Sequence, residues 1–153
     1  RMAEKQLEIN PKMRVAIEMK GWCTGMKGDW EKAVEYFEEV HRLANDPLKS
    51  LAPLGHAYAR LGEKEKALDI ISRLEYRQTQ EPDMVLDGDL LMVWWALENK
   101  FKSYKEKVVH HLRNCLEKGL DTMHYYVEYP MMNGLKEYPE VMALLEKNIS
   151  KRS

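Results

Sequence analysis

Apolar residues recur at intervals of three and four over most of the chain, which is the spacing of one face of an α-helix. The clearest case is the stretch of residues 51–74, where two such runs lie on either side of a glycine, Gly62. The first run contains Leu51, Leu54, Tyr58 and Leu61, and the second contains Ala67, Ile71 and Leu74. Glycine readily adopts the left-handed conformation that ends helices. The pattern therefore predicts two antiparallel helices joined at Gly62.

The preceding residues repeat this pattern at a constant distance. The pairs separated by 34 residues are Gly21 and Gly55, Gly28 and Gly62, Ala33 and Ala67, and Phe37 and Ile71. We expect helices at about residues 12–27 and 29–44, with Asp29 as the N-cap of the second. Ser50 is expected to cap the next helix, because Pro53 then lies in the first turn, where proline is tolerated. Residues 14–47 and 48–81 are thus predicted to be two copies of one helical hairpin.

A third, longer unit is predicted at residues 82–119. Its two apolar faces contain Leu90, Leu91, Trp94 and Leu97, and then Val108, Leu112 and Cys115. We expect the first helix to end at Glu98-Asn99, since asparagine is the next best left-handed residue after glycine. The segment 101–105 then lengthens the turn or extends the helix, and Gly119 closes the unit.

The stretch Leu-x2-Leu-Gly-x2-Tyr followed by Ala-x3-Ile resembles the tetratricopeptide repeat, whose signature is Trp-x2-Leu-Gly-x2-Tyr, Ala-x3-Phe and proline on a 34-residue period. The resemblance implies one all-α domain, a superhelix of about three helical hairpins, closed by a helical C-terminal cap at residues 120–153. Residues 1–13, which contain the helix-stopping pair Asn10-Pro11, are then the tail of a truncated preceding repeat. On this interpretation the chain is a fragment of a larger protein.

The last segment carries a second, less specific resemblance. Its pattern matches the end of tetratricopeptide arrays in bacterial signalling proteins at Pro130, Leu135, Pro139, Leu144 and Leu145. Those arrays often follow an adenylate-cyclase-like domain, a kinase or a winged-helix DNA-binding domain. The resemblance implies a bacterial regulatory protein with an attached domain outside this fragment.

Charge and cysteine content narrow the functional classes. The formal net charge is −1 and no basic cluster dominates a face, so this fragment is not expected to bind nucleic acid. The chain has no run of 18 apolar residues, so no membrane span is expected. Cys23 and Cys115 are far apart and lack metal or redox spacing, which is typical of reduced thiols in a cytoplasmic protein.

Few residues suggest catalysis or metal binding. His110, His111 and Cys115 lie within one predicted helix, with His124 further along, and His111 and Cys115 share a face at a spacing of four. Two metal ligands could meet there. However, Cys115 occupies the inward stripe, which favours a packed thiol beside a surface histidine pair. We therefore predict no catalytic residue, no metal and no cofactor.

The resemblance implies instead a concave binding face, lined by the first helix of each hairpin. Aligned in register, the three units place there Glu18, Trp22, Met26, His56, Arg60, Met92 and Trp95. Aromatic residues, methionine and arginine are enriched in protein interfaces. Burial of Trp22 and Trp95 between the hairpins is the alternative.

Two functions remain open on these grounds. The first is a non-catalytic protein–protein interaction or scaffold module, which presents the groove to a peptide, a partner domain or another part of its own chain. The second is a sensory or dimerisation module that regulates an attached domain, with residues 125–145 as its contact surface. The Tyr-Pro and Met-Met pairs of that segment, taken as exposed, suggest the second function, and a homodimer would follow from it.

Overall fold

The computed structural model describes residues 11–45, 47–119 and 128–152. The elements in these ranges are α1 (Pro11–Met26), α2 (Trp30–Leu43), α3 (Leu51–Arg60), α4 (Lys64–Gln80), α5 (Asp87–Phe101), α6 (Lys105–Glu117) and α7 (Pro139–Arg152), with short 3-10 helices at Pro47–Ser50, Pro130–Met132 and Leu135–Glu137. The described part contains no β-strand. Helices α1 to α6 pack as consecutive hairpins, which confirms the predicted all-α, tetratricopeptide-like superhelix. The predictions for residues 1–10 and 120–127 lie outside the described residues.

The first hairpin is held together by two glycines of α1. A Cβ atom added at Gly21 would lie 2.5 Å from the ring of Phe37, and one added at Gly25 would lie 2.4 Å from the ring of Trp30. Only glycine therefore lets these α2 rings cross the surface of α1 so closely. Asp29 is the N-cap of α2, as predicted, and its side chain accepts a hydrogen bond from the backbone N–H of Lys32 at 3.0 Å.

Helix α3 is short and lies at the centre of the stack. It contacts α2, α4 and α5, and its core residues include Leu54, Ala57 and Ala59. Ser50 precedes it, as expected, but its hydroxyl bonds the ring of His41 at 2.6 Å and makes no cap hydrogen bond. The turn after α3 ends at Gly62, whose φ of +82° is the predicted left-handed conformation.

The predicted end of the third unit's first helix at Glu98-Asn99 is wrong. Helix α5 continues to Phe101, and Lys102 takes the left-handed conformation with a φ of 58°. The carboxylate of Glu98 is buried and accepts a hydrogen bond from the backbone N–H of Tyr104 at 2.7 Å, at the start of α6. This acceptor holds the longer turn, so the extra residues of the unit partly extend the helix.

The C-terminal segment closes the last hairpin. Its buried side chains are Met132, Leu135, Val141 and Leu145, which join the same core as α3, α5 and α6. The hydroxyl of Tyr138 donates a hydrogen bond to the carboxylate of Glu98 at 2.6 Å. One carboxylate therefore connects α5, the start of α6 and the segment that leads into α7.

Candidate interaction surface

Aromatic rings, one histidine and one arginine meet where α1, the start of α2 and α3 come together. The ring of His56 lies between Trp22 and Trp30, with centroid distances of 5.0 and 5.4 Å. The guanidinium group of Arg60 lies 5.4 Å from the ring centroid of Trp30, a cation–π distance. Trp22 and His56, which the sequence register placed near each other, are therefore in contact, and Trp30, which the register did not select, joins them.

His56 is held as a neutral ring with a defined tautomer. Its Nδ1 lies 2.9 Å from the backbone carbonyl of Met92, and Arg60 Nε donates to its Nε2 at 3.1 Å. A carbonyl can only accept and a guanidinium can only donate, so the proton is on Nδ1. Burial and then the charge of Arg60 lower the pKa of His56 to about 3. His56 is thus a structural link between α3 and α5 and not a proton carrier near neutral pH.

The chain's own C-terminal segment occupies the middle of this inner face. Arg60 Nη2 and Trp95 Nε1 both donate to the backbone carbonyl of Met131, at 2.9 and 3.1 Å. Gly134 follows with a φ of +98°, and a Cβ atom there would lie 3.5 Å from the Trp95 ring. Arg60 and Trp95, two of the predicted groove residues, therefore hold an internal backbone carbonyl.

Three of the seven predicted groove residues belong to the core. Trp22, His56 and Trp95 are 7%, 0% and 1% exposed, so burial, the alternative given for the two tryptophans, is what the structure shows. They fill the space between hairpins and cannot be the exposed surface that the sequence register suggested. Glu18, Arg60 and Met92 are half-buried, and Met26 is exposed. Partner binding by these four residues stays a prediction.

The open part of the inner face lies on α1. Val15, Met19 and Met26 are 60%, 53% and 39% exposed. With the buried Trp22 they recur at intervals of four, three and four, so they share one side of the helix. We call Val15, Met19 and Met26 the α1 stripe. The sequence register missed Val15 and Met19 because it selected positions by likeness to the other units, although the apolar periodicity of α1 itself was a usable signal.

Two carboxylates lie beside this stripe. Burial raises the pKa of Glu18, and burial together with the nearby charge of Glu18 raises the pKa of Asp89 to about 6. Glu18 is on α1 and Asp89 is in the first turn of α5. Among the described residues, no lysine or arginine forms an ion pair with either carboxylate. This edge of the inner face therefore favours a positively charged group.

A second polar cluster lies on the outer side, around Asp87. Its carboxylate is nearly inaccessible and accepts hydrogen bonds from His111 at 3.0 Å, Asn114 at 3.3 Å and Lys118 at 2.5 Å. Burial raises the pKa of Asp87, but the hydrogen bonds from Lys118, His111 and Asn114 outweigh it, so the net pKa is lowered. The cluster ties the start of α5 to α6, which is a structural role.

The metal alternative for His111 and Cys115 finds no support in the described residues. Cys115 is fully buried, and burial is the main cause that raises its pKa to about 12. Its thiol is therefore protonated near neutral pH, whereas metals bind the thiolate. In the described ranges, no three His, Cys, Asp or Glu side chains are placed to hold a metal ion. His124 lies outside those ranges.

Part of the chain is similar in sequence to a known protein. Over 66 residues the chain is 35% identical to a TPR repeat-containing protein of Methanocaldococcus jannaschii, which is 43% of this chain and 20% of that relative. The match supports the tetratricopeptide repeat family. The chain spans about a fifth of that relative's length. No protein-family model and no solved structure matches the chain. The relative is archaeal, so the bacterial signalling context stays a prediction.

None of the helices in the described part is long and apolar enough to cross a membrane.

Proposed function

We propose that this chain is a non-catalytic protein–protein interaction module that binds a partner segment on the open part of its inner face. The observation that carries the proposal is the α1 stripe of Val15, Met19 and Met26, three apolar side chains exposed on one side of a helix. Methionine is common on surfaces that bind partners, because its side chain adapts to their shape. The match to a TPR repeat-containing protein supports the same class of function.

The proposed partner segment is apolar with at least one lysine or arginine. Its apolar side chains would cover the α1 stripe, and its cation would lie near Glu18 and Asp89. Burial, and then repulsion between these two carboxylates, raises the pKa of Asp89 to about 6. A cation between them would remove that repulsion, so binding is expected to lower the pKa of Asp89.

The centre of the inner face is not the proposed contact. Met131 already accepts hydrogen bonds from Arg60 and Trp95 there, and the neighbouring side chain of Met132 is fully buried. Displacing this segment would expose Met132 and Leu135, which costs about 1.5–3 kcal/mol for each side chain. A partner that binds beside the segment avoids this cost.

The alternative function is a dimerisation module with residues 125–145 as its contact surface. One of the two residue pairs that suggested it is not exposed as expected. Met132 is 0% exposed and Met131 is half-buried, so the Met-Met pair is not the exposed apolar pair that was expected. Tyr129 is 49% exposed, and residues 125–127 lie outside the described ranges. Regulation of an attached cyclase, kinase or DNA-binding domain stays a prediction.

The test is a capture experiment with the double variant Val15→Lys, Met19→Lys. Both side chains are exposed, so the fold should be retained, and circular dichroism checks this. The wild-type chain, the double variant and a control, Tyr76→Lys at a 67% exposed position on α4, are each used to capture partners. We expect the double variant alone to lose the captured proteins. Equal capture by all three chains would refute the proposed surface.

A further inference from the structure

A large cleft lies on the other side of α3, away from the concave face. It has a volume of about 930 Å³ and is walled by α2 and α4. Its floor is formed by Leu51, Leu54 and Tyr58 of α3, which recur at intervals of three and four, together with Ile70 of α4. His56 and Arg60 point from the opposite face of α3. The cleft is therefore separate from the α1 stripe and from the proposed function.

The walls of the cleft are more acidic than basic. Five carboxylates line it, but only three lysine or arginine side chains do. Two of these cations already pair with a neighbouring carboxylate that also lines the cleft: Arg42 with Glu39 at 2.7 Å and Arg73 with Asp69 at 3.1 Å. The third, Lys66, pairs with Glu63 and lies over the ring of Tyr58. The lining cations therefore leave an excess of negative charge on the walls.

Two of the lining carboxylates have no cationic partner in the described part of the chain. Glu38 lies on α2 and Glu65 lies in the first turn of α4, so they stand on opposite walls. Tyr58 lies between these walls on the floor, where burial and then the charge of Glu38 raise the pKa of its hydroxyl. Arg42 and Arg73 lie further along the same two helices. Both arginines are paired with carboxylates of the cleft, so its unpaired negative charge lies at the end near Tyr58.

We propose that this cleft binds an amphipathic helix of a partner protein whose last turn carries lysine or arginine. Leu54 and Ile70 are 6% and 4% exposed, so the apolar side of that helix packs mainly on the half-buried ring of Tyr58, and its basic last turn lies between Glu38 and Glu65. Basic residues also suit the last turn of a helix, because its free carbonyl groups carry partial negative charge. As the second helices of consecutive hairpins, α2 and α4 run in the same direction. The last turn of the bound helix lies beside Glu65 at the start of α4, so the bound helix runs antiparallel to both.

The test uses labelled synthetic peptides of about 16 residues, long enough to form a helix. They share one apolar face and differ only in the type and position of their charged residues: arginines in the last turn, arginines in the first turn, or glutamates in the last turn. Fluorescence anisotropy measures their affinity for the whole chain. We expect the peptide with arginines in the last turn to bind about tenfold more tightly than each of the others, a difference that salt reduces.

Variants of the chain test whether the preference for arginines in the last turn arises from binding in the cleft. Glu38→Lys with Glu65→Lys should abolish it, and the milder pair Glu38→Gln with Glu65→Gln should reduce it. The control is Glu106→Lys with Glu146→Lys, which makes the same change in net charge on exposed sites outside the cleft. Glu106 lies in the first turn of α6, so it matches Glu65 in its position on a helix.

Three results would overturn the proposal. One is that no peptide binds, or that all three bind equally. Another is that the Glu38 and Glu65 variants, confirmed as folded by circular dichroism, keep the preference for the basic last turn. The third is self-association of the wild-type chain in sedimentation that the Glu38 and Glu65 variants abolish, because a second copy would then be the occupant.

Discussion

Arg60 donates a hydrogen bond from Nη2 to the backbone carbonyl of Met131, at 2.9 Å and 71 residues further along the chain. The same guanidinium group bonds His56 through Nε and lies against the ring of Trp30. One side chain thus connects the first two hairpins with the C-terminal segment. This contact closes the predicted groove at its centre, whereas exposed apolar side chains remain along α1.

Trp95→Phe should lower the free energy of unfolding by about 1–3 kcal/mol, since it removes the N–H donor to Met131 and some buried volume. Trp94→Phe is the matched control. Trp94 is also buried in α5, but its Nε1 has no hydrogen-bond partner within the described part of the chain. Urea denaturation measures both variants. If Trp94→Phe is as destabilising as Trp95→Phe, the hydrogen bond to Met131 contributes nothing to stability.

Tyr138→Phe should cost about 1.5–3 kcal/mol of stability, because the hydroxyl of Tyr138 bonds the buried carboxylate of Glu98. The loss leaves one oxygen of Glu98 without this donor while the ring of Tyr138 still packs on Trp95. Tyr76→Phe, at a 67% exposed position, serves as the control and should leave stability unchanged. Thermal denaturation compares the two. A loss of stability of similar size in Tyr76→Phe would show that the hydrogen bond from Tyr138 to Glu98 does not cause the effect.

Asp87→Asn should lower stability near neutral pH by about 2–4 kcal/mol, because it weakens hydrogen bonds from His111 and Lys118 to a buried charge. The folded-state pKa of Asp87 lies below its usual value of 3.8. Its contribution is therefore present above that value and is lost as the pH falls through the folded-state pKa. The variant should approach the wild type in acid. A stability difference that does not change with pH would contradict this. Asp83→Asn, at an exposed position, is the control.

Asp89→Asn should change stability in the opposite direction from Asp87→Asn and stabilise the fold at neutral pH. The folded-state pKa of Asp89 is raised from 3.8 to about 6, so its charge destabilises the fold as the pH rises between these values. The variant should be more stable than the wild type by roughly 1–3 kcal/mol above about pH 7 and nearly equal to it below about pH 4. Urea denaturation between about pH 4 and pH 7 measures this difference in stability. Glu18→Gln should reduce the effect, because Glu18 contributes to the shift; an unchanged effect would show that burial alone causes it.

The repeat pattern predicted most of the fold because its signals are local. Gly28 and Gly62 have the left-handed φ that ends each hairpin turn, and Val108, Leu112 and Cys115 form the buried stripe of α6. Such features depend on the periodicity of one helix or the conformation of one residue. They are visible without knowing what the helix packs against.

The inner face could not be predicted in the same way because it depends on distant parts of the chain. The partner of Arg60 and Trp95 is a backbone carbonyl, and every residue has one, so no residue type marks Met131. The end of α5 at Lys102 depends likewise on the carboxylate of Glu98, which holds the next turn from within the helix. Register alone predicted which side chains face inward, and not which of them the chain itself covers.

The most direct test of the proposed function is photo-crosslinking from single positions of the whole chain. A photoreactive amino acid is introduced at Met19 on the α1 stripe, and in a second protein at Tyr76 on α4, and each is irradiated in an extract of the source organism. We predict that position 19 crosslinks to a discrete partner, that excess unlabelled wild-type chain suppresses this crosslink, and that position 76 does not form it. The absence of an adduct at position 19, or the same adduct from both positions, would contradict the proposal that the α1 stripe is the binding surface.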